Sequence, residues 1–98
     1  MISRMKIEEL KEKLLPILRK HGVSRAGLFG SVARGEAQEG SDVDILVEIR
    51  KKHFSLLDFV RVENELGEAL GRKVDLVEYA AIHPMLKDRI LKEELKIL

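Results

Sequence analysis

Four residues carry the strongest chemical signal in this 98-residue chain: Gly30 and Ser31, then Asp42 and Asp44. The two aspartates lie at alternate positions and lead into Ile45, Leu46, Val47 and Ile49. That short run, rich in β-branched residues, reads as a strand. Successive strand side chains point to opposite faces, so Asp42 and Asp44 point the same way. Neighbouring carboxylates repel and push one pKa up, and a cation between them relieves the repulsion. There is no Cys, and His21, His53 and His83 share no ligand spacing, so zinc is not indicated. An all-oxygen donor set suits a hard ion, Mg²⁺ or Mn²⁺. Ahead of the carboxylates, the apolar Leu28 and Phe29 meet a small-residue turn at Gly30-Ser31. Glycine at such a turn lets backbone N–H groups approach a phosphate, and a helix start favours its charge. Asp-x-Asp alone is common turn chemistry at strand starts, and Gly-Ser alone is a weaker signal. The order and spacing of all the parts carry the reading, which is a metal–triphosphate site.

With ten residues between Ser31 and Asp42, the segment resembles the Gly-Ser-x10-Asp-x-Asp signature of the DNA polymerase β-like nucleotidyltransferase superfamily. The longer stretch from Gly30 to Val47, GSVARGEAQEGSDVDILV, resembles the minimal nucleotidyltransferase (MNT) branch, whose members are about this short. Such proteins often serve as the antitoxin of a HEPN/MNT pair. The resemblance implies a type VII toxin–antitoxin system in which AMP passes from ATP to a tyrosine hydroxyl of a HEPN ribonuclease toxin. It also implies roles for further residues. Arg34, one turn after Ser31, becomes a cation near the triphosphate. Ser41 either bonds the turn backbone or contacts the nucleotide. Asp75 stands between Val74 and Leu76; a carboxylate in such a strand needs a partner, and it matches the family's third acid. Asp42, Asp44 and Asp75 are then the metal-binding and catalytic set, with Gly30, Ser31, Arg34 and Ser41 on the nucleotide.

The elements that must position these residues follow from periodicity. Ser3 to His21 reads as a helix with Ile7, Leu10, Leu14, Ile17 and Leu18 on one stripe. Gly22 stops it, and Pro16 should kink or interrupt it. Arg25 to Phe29 is a first strand, Ser31 to Gly35 a short helix, and Glu36 to Gly40 a polar loop. Val43 to Ile49 is the second strand, followed by the basic connection Arg50 to His53. Ser55 to Leu70 is a long helix, with Ser55 as N-cap, Asp58 at capping-box distance, and Leu56, Phe59, Val60, Leu66 and Leu70 as its apolar face. Lys73 to Val77 is a third strand. A last helix opens at His83-Pro84, with Met85, Leu86, Ile90, Leu91 and Leu95 on its apolar side. The expected fold is α/β (α+β), in the order α-β-α-β-α-β-α, with a small mixed three-stranded sheet packed by helices. A helix joins the second and third strands, which indicates a right-handed parallel crossover. The short gap between the first and second suits an antiparallel pair.

Residues 1–98 read as one domain. With 18 basic and 17 acidic residues the net charge is +1, so there is no excess for binding a polyanion. Aromatics make up only 4%, so base-stacking platforms are absent and no direct nucleic-acid partner is expected. No apolar run approaches membrane-spanning length and no signal-peptide core opens the chain, which points to the cytoplasm. Self-association stays open. Larger superfamily members carry a further substrate domain, so the acceptor here should come from a partner protein. The competing function is a non-catalytic antitoxin that neutralises its toxin by occlusion. A small-molecule nucleotidyltransferase is disfavoured because no acceptor-pocket domain is present.

Overall fold

The computed structural model describes residues 7–36 and 40–98. The expected helix start at Ser3 and most of the expected loop from Glu36 to Gly40 fall outside them. Helix α1 (Ile7–Lys20) buries Leu10, Leu14 and Leu18 completely. It runs through Pro16 without a break, against expectation. Pro16 and Glu12, whose carbonyl loses its helical donor, are both exposed. Water can satisfy that carbonyl, and the buried leucines offset a cost of about 3 kcal/mol.

Strand β1 (Val23–Phe29) is two residues longer than expected and leads directly into the one-turn helix α2 (Gly30–Ala33). Strand β2 (Val43–Ile49) matches its expected bounds. Helix α3 (Leu56–Leu70) starts with a complete capping box: the Asp58 amide donates to Ser55 Oγ at 3.1 Å, and the Ser55 amide donates to Asp58 Oδ2 at 3.0 Å. Strand β3 (Val74–Glu78) is followed by a 3₁₀ turn (Tyr79–Ala81), helix α4 (Pro84–Glu93) and strand β4 (Leu95–Lys96).

The sheet has four strands rather than three, in the order β3-β2-β1-β4. β1 and β2 are antiparallel, and β2 and β3 parallel, as expected. The added strand β4 pairs antiparallel with β1 through two residues, too few for any periodicity to show. Behind it the Ile97 amide donates to the Ala26 carbonyl at 2.9 Å, and Ile97 enters the core.

α1 and α3 lie together over one face of the sheet. Val43, Ile45 and Val47 of β2, Ala26 and Leu28 of β1, and Val74 and Leu76 of β3 meet them in a single core. The buried stripe of α3 is Val62, Leu66 and Leu70, with Phe59 packed beside it. Leu56 and Val60 are exposed, against expectation. Val60 lies off the i, i+3, i+4 row that Phe59, Val62, Leu66 and Leu70 define, and Leu56 is the first residue of the helix. α4 buries no residue: Ile90 and Leu91 are half-buried, whereas Met85 and Leu86 face solvent. At the sheet border the Leu76 amide of β3 donates to Glu63 Oε2 of α3 at 2.9 Å. Among the described residues, no helix is long and apolar enough to cross a membrane.

Candidate active site

The face of the sheet turned away from α1 and α3 holds the predicted site. Because β2 and β3 are parallel and in register, Asp44 lies beside Asp75 on the neighbouring strand. On its other side Asp44 pairs with Phe29, the last residue of β1. Directly opposed residues on adjacent strands share a face. Asp42, two residues before Asp44, stands just ahead of β2 and shares its side by alternation.

The electrostatics record the gathering. Burial raises the Asp44 pKa above the usual carboxylate value, and the charges of Asp75 and Asp42 raise it further. Arg34 acts in the opposite sense on the same carboxyl. All three acids therefore lie in one field.

Gly30 explains why the turn is glycine. Its φ is +72°, a left-handed conformation that side chains disfavour, and Asp44 Oδ2 occupies the place a Cβ would take. The turn and the first strand carboxylate therefore fit together only because one of them has no side chain. Ser31 follows, half-buried. Ser41 stands immediately before Asp42, also half-buried.

Arg34 has carboxylate partners of its own. Its Nε donates to Glu36 Oε1 at 2.9 Å and its Nη1 to Glu93 Oε2 at 3.2 Å. The guanidinium is thus held by two carboxylates, although its charge still reaches Asp44.

The donor set is chemically suited to a hard divalent ion, because three carboxylates in mutual repulsion are what such a charge stabilises. Among the described residues, no three acidic or histidine side chains already form a cage for one ion. The case for a metal therefore rests on the donor chemistry and the shared field.

Residues that sequence reasoning passed over also line this face. Glu94, at the end of α4, lies almost buried against Gly27 of β1, with its Oε2 where a Cβ would stand. The Tyr79 hydroxyl donates to Glu94 Oε2. Arg25 stacks over the Tyr79 ring at 4.2 Å and pairs with Glu94 Oε1 at 3.7 Å. Burial, and then the Glu94 carboxylate, push the Tyr79 pKa above the ordinary tyrosine range. The cluster fastens the end of α4 over the sheet. The only hint of it in the sequence is Gly27, since glycine inside a strand marks a close approach.

Residues 7–97 match the nucleotidyltransferase domain family. The chain belongs to that family. A Methanocaldococcus jannaschii protein, provisionally named a protein adenylyltransferase, is 56% identical over 94 residues, spanning 96% of this chain and 100% of that one. The protein adenylyltransferase MntA of Thermococcus cleftensis is 36% identical over 96 residues, spanning 94% of this nucleotidyltransferase and 96% of that protein. A structure described as a tri-AMPylated Shewanella oneidensis HEPN toxin in complex with an MNT antitoxin shares the fold. Its TM-score is 0.71 at 20% identity, over 93% of this chain and 71% of that one. The expected α/β nucleotidyltransferase fold is therefore the one this enzyme has, with the fourth strand added.

Proposed function

We propose that this nucleotidyltransferase moves AMP from ATP to a tyrosine hydroxyl of a HEPN ribonuclease toxin and is the antitoxin of that pair. The observation that carries the reading is the triad of acids: Asp44 stands in register with Asp75, shares the side of Asp42, and abuts Gly30. Similarity to protein adenylyltransferases along almost the whole chain supports a protein acceptor. The fold shared with a chain from an MNT antitoxin–HEPN toxin complex supports the kind of partner.

Asp42 and Asp44 would hold a Mg²⁺ (or Mn²⁺) ion on the triphosphate, with Asp75 joining them at a second. Bound there, such ions would neutralise developing charge and lower the pKa of the acceptor hydroxyl. The residues of the chain do the rest. Asp75, on the flank of the site away from Gly30, orients the tyrosine hydroxyl and accepts its proton. The tyrosine oxygen forms a bond to the α-phosphorus, the bond from that phosphorus to the bridging oxygen breaks, and pyrophosphate departs with the electron pair. Gly30 and Ser31 offer backbone amides and a hydroxyl to the β- and γ-phosphates. Arg34 adds positive charge on that side, and Ser41 stands beside Asp42 at the edge of the nucleotide.

Incubation with α-labelled ATP, Mg²⁺ and a cognate HEPN protein tests this directly. Label should appear on the HEPN protein with the wild type and vanish with Asp42→Asn/Asp44→Asn. Inhibition of the toxin to the same degree by both proteins, without label, would leave an antitoxin that acts by occlusion.

A further inference from the structure

A cavity of about 210 Å³ opens between α2 and α4, on the opposite side of Gly30 from Asp75. Leu86 and Ile90 give it apolar lining, and Gly30, Arg34, Arg89 and Glu93 line it as well. Charge is ordered across this end of the molecule. Asp75 and Asp44 lie on adjacent strands, Gly30 follows at the end of the next strand, and the two guanidiniums lie beyond it. Glu93 bridges both cations: its Oε2 accepts from Arg34 Nη1 at 3.2 Å, and its Oε1 lies 3.5 Å from Arg89 Nε.

Resting on the nucleotidyl-transfer reading above, we propose that this cavity takes the terminal phosphates of the nucleotide, with Arg89 as a second cation beside Arg34 and Glu93 as the anion those phosphates displace. A triphosphate whose α-phosphorus lies at the acids and whose chain crosses Gly30 ends between Arg34 and Arg89. Guanidinium groups suit this task because their fixed fork of donors matches phosphate oxygens. Glu93 keeps two like charges side by side while the cavity is free of nucleotide, and it competes with the incoming phosphates. The departing pyrophosphate would leave from the same place.

Titration calorimetry with ATP and with AMP, both in Mg²⁺, separates the possibilities. Arg89 is largely exposed, so its replacement leaves the core untouched. Arg89→Ala should weaken ATP about tenfold, the scale of one charged hydrogen-bonding contact, and leave AMP unchanged. Arg89→Lys should recover part of that loss. Glu93→Gln should tighten ATP severalfold, again without effect on AMP. Equal weakening of ATP and AMP by Arg89→Ala would place the base or ribose in the cavity and overturn the assignment, as would unchanged ATP affinity. A wild-type protein that binds neither nucleotide would instead overturn the transferase reading, and this subsite with it.

Discussion

Against α1 and α3 the sheet presents Val43, Ile45, Val47, Val74 and Leu76, all buried and all apolar. On the other face the same two strands present Asp44, Asp75, Leu46 and Val77, with Gly27 and Phe29 beside them from β1. One face buries hydrocarbon and asks only for volume and shape. The other brings three carboxylates into one field, raises a pKa, and needs a glycine to make room. Two β-strands with a two-residue period thus serve both ends: one set of alternate residues fills the core beneath α1 and α3, and the other sets Asp44 beside Asp75, where their repulsion helps to raise the Asp44 pKa. Chemistry and stability are separated by the thickness of a sheet.

Substitutions on the two faces should break in different ways. The largest effect falls on the apolar side. Leu14 is fully buried, and Leu14→Ala should cost about 2–5 kcal/mol. At about 4–8 °C per kcal/mol for a domain of this size, calorimetry should show a large fall in Tm. AMP transfer by the protein that remains folded, measured well below the new Tm, should be unchanged.

Next comes the turn that touches the acids. Gly30→Ala meets both an unfavourable φ and the Asp44 carboxylate, whereas Gly35→Ala meets a similar φ of +73° with nothing within 4 Å. The Gly35 variant should cost about 1 kcal/mol, the backbone penalty of a left-handed residue. Gly30→Ala should cost more in denaturant melts and also lower transfer, because Asp44 must move. Equal effects from the two variants would deny the contact any importance.

The smallest effect on stability sharpens the contrast most, because its sign is reversed. The Asp44 pKa is raised in the fold, so the native state binds its proton more tightly than the unfolded chain does. Stability from this group is complete below the unfolded carboxylate pKa and is lost as pH rises through the higher folded value. Asp44→Asn should therefore flatten the decline in Tm above about pH 4, the ordinary carboxylate value, and leave the protein slightly more stable at neutral pH. Transfer should fall by more than about 100-fold, beyond the loss expected for a residue that only supports a metal ligand.

The gathering of the candidate site was legible because its parts are close in sequence. Gly30, Ser31, Asp42 and Asp44 lie within fifteen residues, and strand alternation fixes which way the acids point. The α3 cap was legible for the same reason, since Ser55 and Asp58 bond each other across one turn. Contacts made across the chain were not. Arg25, Tyr79 and Glu94 meet only after β3 and α4 fold back over β1. The bond from Arg34 to Glu93, 59 residues away, likewise has no sequence signature. Leu56 and Val60 looked like core because apolar type alone does not say which residues of a helix its neighbours cover.

The carboxylate of Glu63 at the border of β3 has a consequence for assembly. An open border offers a row of unpaired amides on which another chain can add a strand, and sheets then grow into filaments. Here the Leu76 amide is already taken, and it is taken by a charged group that would resist being stripped of water. At the opposite border β4 offers only Leu95 and Lys96. Both features work against growth by strand addition.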